Sequence, residues 1–403
     1  MNILLITSDR VMPQSGGIAR TTYLLADALR LHKYKCFSAY LYPADNATKE
    51  NIKTNVFEKE YLLQKPINEQ QFYEIISANR IDFVILQSSG WDMVQLLPAL
   101  REATNQNSST KIIYAFHTKP GQELTKMDCG VLFYRIFKGQ NLKVNIRQLI
   151  AQTISPVVKK TILRKIQKKY SVPLEKADKI VLLSDEYISA FNHLASSTQS
   201  ENDKFAVIPN MLVYTEEQCR LVEKEKTVLI VARMNEHSKR IKTALTIWAK
   251  TNVPDWQLVI VGDGEDLPYY KRMVKRQDIK NVHFLGSTNP LPYYSHSSLF
   301  MMTSAYEGWP MTLLEAMQNG CVPIVFSTFS SAQNIITSSE DGFIVKEGDT
   351  TAYADKLSAL MTDDELRNKL SMSARKSVYR FSSDKIIAMW ENLFDSLTRP
   401  SHI

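Results

Sequence analysis

Glu307 and Glu315, with seven residues between them, lie in the segment TSAYEGWPMTLLEAMQNG, Thr303 to Gly320. Pro310 suits the first turn of a helix, Leu313, Leu314 and Met317 share one of its faces, and Gly320 suits its C-terminal cap. The spacing predicts a loop carboxylate, Glu307, presented just ahead of a helix N-terminus that exposes N–H groups. Glu315 falls about one turn inside and can accept two hydroxyl hydrogen bonds of the kind a ribose offers. The macrodipole alone also favours Glu in a first turn, but it does not account for the loop Glu and the Gly-x-Pro that accompany it.

Arg233 follows the apolar run TVLIVA at once, and Lys239, Arg240 and Lys242 come within the next nine residues. Cations at the mouth of a strand can neutralise a polyphosphate, each charge-assisted contact contributing about 1.5–3 kcal/mol; Lys242, in a polar loop, reads as solvated. In SGGIAR, Gly16 and Gly17 permit positive φ and a close backbone approach to an anion at a helix N-terminus, or simply make a tight strand-to-helix turn. VGDG, ending at Gly264 and containing Gly262, places Gly-x-Gly after WQLVIV, yet Leu267 stands where the dinucleotide fingerprint needs Gly or Ala. That departure disfavours a nicotinamide site. His117 closes the run KIIYAF, a position that by itself reads as structural.

These residues need strands to carry them. Apolar runs at 3–7, 36–41, 82–87, 111–116, 179–183 and 205–208, then at 227–232, 256–261, 282–285, 299–303, 322–326 and 343–345, alternate with helix-like segments. Such continuous runs suit parallel strands buried on both faces, and ligands gather beyond the carboxyl ends of such strands. The fold class is therefore α/β, with two Rossmann-like doubly wound domains expected to face each other across a cleft. The Glu-rich stretch Pro209–Glu225 marks the boundary, giving domains 1–210 and 211–383. Residues 384–403 carry Ile386, Ile387, Trp390, Leu393, Phe394 and Leu397 on one helical face, a docking helix.

With 403 residues, 44% of them hydrophobic and 23% charged, the chain is an ordinary globular protein rather than a disordered or fibrous one. Its longest apolar runs fall far short of the roughly 18 residues that span a bilayer, and MNILLITSDR reads as a first strand, not a signal peptide. Cys36, Cys129, Cys219 and Cys321 stand singly, which suggests neither a zinc site nor a disulfide framework and fits a reducing cytosol. The net charge of +7 is uneven: Lys119–Lys179 holds 14 Lys and Arg against 4 Asp and Glu, leaving the rest at −3. Within it, VVKKTILRKIQKKY sets Val158, Ile162, Ile166 and Tyr170 on one face, with Lys160, Arg164 and Lys168 opposite. This basic amphipathic helix reads either as an anionic-membrane contact or as a solvated helix over a core. No recognition motif accompanies it, so nucleic acid is not expected.

Taken in order, GGIAR near the N-terminus, IPN at Ile208–Asn210, ARM and the later KRI, LVIVGDGE, VHFLG and EGWPMTLLEAM resemble the retaining glycosyltransferases of family 4, which have the GT-B fold. The resemblance is dense from about 205 to 345 and thin over 40–110 and 120–175. It implies that domain 1–210 takes an acceptor and domain 211–383 a nucleotide sugar, with the terminal helix packing back on the first. Arg233 and Lys239 would then bind the donor diphosphate, Glu315 the ribose, and Glu307 would approach the donor sugar. Backbone groups at Pro310, Met311 and Thr312 would touch sugar or phosphate, Gly16, Gly17 and Gly262 would border the donor, and His117 would face its sugar. Many family members place the Lys five positions after the Arg; here Ser238 holds that place and Lys239 follows, with Arg240 beside it, so either cation is a candidate.

An oxocarbenium-like transition state needs negative charge on the leaving diphosphate balanced, and no D-x-D stands near a strand end in the first half to hold a metal. A metal-independent, cofactor-free glycosyltransferase is expected, retaining by resemblance. Its donor would be a UDP-hexose or UDP-N-acetylhexosamine, since EGWPM resembles members that transfer galactose, N-acetylgalactosamine or glucose. The acceptor would be a glycan, carried on a polyprenyl diphosphate, in surface polysaccharide biosynthesis. The enzyme would work in the cytoplasm, peripherally on the inner face of the cell membrane. A soluble-acceptor transferase and a non-catalytic nucleotide-sugar binding protein are the alternatives.

Overall fold

The computed structural model describes residues 1–12, 17–43, 55–88, 90–106, 109–125, 156–196, 202–213, 223–251 and 253–398; the side chains of 125, 156–162 and 202 are not described. Gly16, Cys129, Cys219, residues 126–155 of the basic region and the side chains of Val158 and Ile162 therefore lie outside the described residues. The chain divides into two units, Met1–Met211 with Ser383–Ile403, and Leu212–Ser382. Their boundaries compare with the 210/211 and 383/384 positions read from the sequence.

The N-terminal unit holds β1 (Asn2–Asp9), β2 (Lys35–Tyr42), β3 (Lys59–Leu62), β4 (Phe83–Ser88), β5 (Lys111–Phe116), β6 (Lys179–Leu182) and β7 (Phe205–Val207). The C-terminal unit holds β8 (Glu225–Val231), β9 (Gln257–Val261), β10 (Val282–Gly286), β11 (Ser297–Met302), β12 (Val322–Phe326) and β13 (Phe343–Val345). Every pair is parallel. The orders are β3-β2-β1-β4-β5-β6-β7 and β10-β9-β8-β11-β12-β13, so both sheets reverse direction beside their first strand, between β1 and β4 and between β8 and β11. The central strands are buried throughout, and mostly apolar, because helices cover both faces: all six residues of β4, all six of β11 and all five of β12 are buried, Gln87, Ser88, Ser297 and Ser298 being the polar ones. β3, KEYL, has no counterpart among the expected strands; it is a short edge strand with no buried residue, so it lacks the apolar run that marks the others.

Helix Ser383–Thr398 belongs to the N-terminal unit and buries Ile386, Ile387, Trp390, Leu393 and Phe394. The Phe394 ring lies 4.5 Å from that of Phe83 and 5.8 Å from that of Tyr34. Full burial of one such side chain contributes about 1.5–3 kcal/mol. None of the helices among the described residues is long and apolar enough to cross a membrane.

In the C-terminal unit two glycines let the loops after β8 and β9 touch. A Cβ on Gly262, at φ +135°, would lie 1.9 Å from the Ala232 carbonyl oxygen, and one on Gly264 would lie 2.6 Å from that of Met234. Backbone bonds run across the same contact, Ala232 N to Val261 O at 3.0 Å and Met234 N to Asp263 O at 2.9 Å. Gly262 and Gly264 thus seat the backbone on the two sides of Arg233, at Ala232 and Met234. Since backbone cannot yield as a side chain can, Gly262→Ala is expected to cost about 2 kcal/mol or more, read as a lower urea midpoint at unchanged slope.

Candidate active site

The switch point of the C-terminal sheet gathers the charged residues. The loop after β8 carries Arg233, then the short helix Glu236–Lys239, whose Asn235 cap accepts from Ser238 N at 3.0 Å. Arg240 follows in the left-handed region at φ 50°. The neighbouring strand β11 ends in the loop that bears Glu307. The two loops are sewn together: Ala305 N donates to Ser238 O at 2.8 Å, and Thr303 Oγ1 to Lys239 O at 3.1 Å and Arg240 O at 3.0 Å. Across this seam Lys239 Nζ meets Glu307 Oε1 at 2.5 Å, with side chains 25% and 13% exposed. Ala232, Lys239, Thr303, Ser304 and Glu307 line one cavity at this switch point.

The two cations left open by the sequence part company here. Arg240 turns away to Glu347, its Nη1 2.7 Å from Oε1, at an exposed place. Arg233 is exposed, and among the described residues its guanidinium makes no hydrogen bond or ion pair, so its donors remain available for an anion.

Pro310 precedes the helix Met311–Gln318, to which Leu313 N and Leu314 N return hydrogen bonds at 3.1 and 3.4 Å. Met311 and Thr312 open this helix, half-buried, with first-turn N–H groups that have no intrahelical acceptor. Leu313, Leu314 and Met317 are buried, and Gly320 takes positive φ just beyond the helix end. Glu315 is also buried, and the Tyr294 hydroxyl donates to its Oε2 at 3.1 Å. Tyr294 escaped the sequence reading: it lies 21 residues away in an unremarkable helix, LPYYSH, and only the fold brings it to Glu315.

In the N-terminal unit His117 follows β5, and its N–H donates to Ser88 O at 2.9 Å at the end of β4. Its Nε2 meets Gln87 Oε1. Burial pushes its pKa down to about 4, which the neighbouring Asn210 side chain only partly offsets. Gln87, His117, Asn210, Thr21, Ile386 and Trp390 share a cavity wall, so the terminal helix borders the histidine. Gly17 begins the helix Gly17–Leu31 at φ +60°, exposed.

Part of the basic region is described. Arg164, Lys165 and Lys168 are exposed on the helix Pro156–Lys176, while Ile166 and Tyr170 are buried. Lys169, one of the 14 cations of that region, is buried: its ammonium lies 3.3 Å from Glu123 and over the Phe116 ring at 5.2 Å. Glu123 also accepts from the Tyr170 hydroxyl at 2.7 Å, which ties the loop after His117 to this helix. Among the described residues no group of three or more His, Cys, Asp and Glu could hold a metal ion.

Residues 215–377 match the family model described as Glycosyl transferases group 1. The matched stretch lies in the C-terminal unit and includes Arg233, Lys239, Glu307 and Glu315. The chain is 27% identical to the N-acetyl-alpha-D-glucosaminyl L-malate synthase of Bacillus anthracis, over 56% of this chain and 61% of that protein. It is 31% identical to the UDP-Gal:alpha-D-GlcNAc-diphosphoundecaprenol alpha-1,3-galactosyltransferase of Escherichia coli, over 31% of this chain and 33% of that one. The alignments thus span less than two thirds of these relatives. Among solved structures, Anabaena Alr3699/HepE in complex with UDP superposes with a TM-score of 0.71 at 15% identity, covering 98% of this chain and 100% of that one. The fold is GT-B.

The His117 environment has a consequence in pH. Its folded pKa of about 4 lies below the ordinary 6.5, so the unfolded chain binds the proton first. Stability is then fully present above about pH 6.5 and declines as pH falls toward 4. The His117 ring should stay neutral at pH 5.5 by NMR, and wild type should lose stability relative to His117→Asn as pH is lowered through that window.

Proposed function

We propose that the protein is a glycosyltransferase that moves a hexose or N-acetylhexosamine from a UDP-sugar to a glycan acceptor, with retention of anomeric configuration and without a metal. The observation that carries this reading is the switch-point constellation: the Lys239–Glu307 pair, the exposed Arg233 on the same loop as Lys239, and the helix Met311–Gln318 with buried Glu315. Residues that match Glycosyl transferases group 1 hold all of these groups, and a UDP complex stands among the structures of like fold.

In this reading Arg233 and the remaining N–H bonds of Lys239 take the diphosphate, helped by first-turn N–H groups of Met311 and Thr312. Gly17 lets the N-terminal backbone come near the phosphate. Glu315 accepts from the ribose hydroxyls, and Glu307 orders Lys239 while facing the sugar. The bond from sugar C1 to the diphosphate oxygen breaks, and its electron pair goes to the phosphate. The acceptor hydroxyl oxygen then bonds to C1 from the same face, and its proton passes to the departing phosphate oxygen. Fixed cations balance the charge that develops there, and because they are already oriented they need no reorganisation during the step. Neutral His117 serves as a hydrogen-bonding partner to the sugar rather than as a second cation.

The acceptor is proposed to be lipid-linked, carried on a polyprenyl diphosphate in surface polysaccharide biosynthesis, with the enzyme peripheral on the cytoplasmic face. The E. coli relative named for a diphosphoundecaprenol substrate supports this, as does the exposed trio Arg164, Lys165 and Lys168.

Calorimetry in EDTA tests the donor site: UDP is expected to bind in preference to GDP and ADP, and Arg233→Ala to weaken it about tenfold or more. Glu307→Ala should abolish turnover while UDP still binds; turnover that survives would remove Glu307 from the reaction. For the membrane, flotation with anionic vesicles should fall on reversing Arg164, Lys165 and Lys168 to Glu, by up to about 1 kcal/mol of binding per basic residue lost. Unchanged flotation would exclude this helix as the contact.

A further inference from the structure

Glu315 is 8% exposed, so a ligand meets its carboxylate only in the orientation its neighbours impose. The last torsion of a glutamate side chain is broad and roughly two-fold, and burial of the stem does not define the carboxylate plane. Tyr294, on the helix Leu291–His296 and 1% exposed, supplies that definition: its hydroxyl donates to Glu315 Oε2 at 3.1 Å. A hydrogen bond to an ionised acceptor is stronger and more directional than a neutral one.

Tyr294 is held in turn. Lys224 Nζ donates to the Tyr294 carbonyl at 3.1 Å and to the Asn319 carbonyl at 2.6 Å, and Cys321 Sγ approaches the Tyr294 carbonyl at 3.1 Å. Asn319 Nδ2 donates to Glu315 O at 2.8 Å, and Ser295 Oγ to Asn319 Oδ1 at 3.3 Å. One half-buried ammonium therefore binds the helix of Tyr294 to the C-terminal end of the helix of Glu315, the end where a cation is favoured. Burial lowers the Lys224 pKa, a cost that such a cation bears where its hydrogen bonds are needed. The network commits a half-buried lysine and a buried phenol to the orientation of one carboxylate.

We infer that Tyr294 is a positioning residue for ribose recognition: by occupying Oε2 it sets the plane of the Glu315 carboxylate that receives the nucleotide's ribose hydroxyls. This rests on the reading of Glu315 as the ribose acceptor. Tyr294 touches no substrate; it acts through Glu315.

The test compares the affinities of UDP and 2′,3′-dideoxyuridine diphosphate for wild type, Tyr294→Phe, Glu315→Gln and the double variant. Wild type should prefer UDP by about tenfold or more, and Tyr294→Phe should cut that preference at least about fivefold while leaving the dideoxy affinity within about twofold. In turnover, Tyr294→Phe should raise the donor KM with kcat little changed, the pattern of lost ground-state binding. In the Glu315→Gln background, Tyr294→Phe should alter UDP affinity less than about twofold, as for two residues acting as one unit. That comparison also serves if Tyr294→Phe fails to fold, because the double variant leaves no buried carboxylate without its donor. A ribose preference intact in Tyr294→Phe, or a further loss in the Glu315→Gln background, overturns the inference alone. Wild type that binds UDP without preferring ribose overturns the role of Glu315 and the inference together, and wild type that binds no UDP overturns the donor reading beneath both.

Discussion

The Lys239–Glu307 ion pair depends on a single topological fact: β8 and β11 are hydrogen-bonded neighbours although their loops are 68 residues apart in sequence. At that reversal of strand order the helices leaving the two strands go to opposite faces, and a crevice opens beyond the strand ends. A partly buried pair of this kind adds little net stability, because desolvation offsets attraction. Its effect is positional. Ammonium and carboxylate fix each other, and the backbone bonds of Thr303 and Ala305 to Ser238, Lys239 and Arg240 fix the loops that carry them.

The surrounding packing serves that seam. Gly262 and Gly264 let the β9 loop press against the backbone of Ala232 and Met234, so the segment around Arg233 rests on backbone rather than on adaptable side chains. Asp266 accepts from Glu236 N at 2.7 Å, and Tyr270 and Lys242 N both donate to Glu236 Oε2 at 2.9 Å. Burial raises the Glu236 pKa, the bonds from Lys242 N and Tyr270 partly offset this, and the nearby Asp266 carboxylate adds to the rise. Arg233 itself is left exposed on this rigid base, an arrangement in which charge can act on a ligand without first being reorganised.

The N-terminal unit repeats the strand order with different chemistry. Its strand ends present Gln87, Ser88 and His117, and no cation of that group substitutes for Lys239. Burial keeps the imidazole neutral and the Gln87 contact orients it. The loop beyond His117 is anchored by Glu123 to Tyr170 and Lys169, and helix Ser383–Thr398 closes the cavity wall with Ile386 and Trp390. A segment at the far end of the chain thus completes the surroundings of a residue on β5.

The sequence by itself determined the two parallel sheets and the ends of the strands from which Arg233, Glu307 and His117 emerge, because strands buried on both faces must be written as continuous apolar runs. It also determined the helix that carries Glu315, through Pro310 before it, Gly320 after it and the apolar face between. An edge strand is free of that requirement, so KEYL at β3 left no such mark. Only the tertiary structure decided which cation joins Glu307: adjacent residues share a chain position but not a direction, and the left-handed backbone at Arg240 sends that side chain to Glu347 while Lys239 meets the carboxylate. It alone showed that Lys169 is buried and that Gly262 presses against the Ala232 backbone. Tyr294, too, became legible only in three dimensions, since a hydroxyl bond to a carboxylate on another helix imposes no periodicity on either segment.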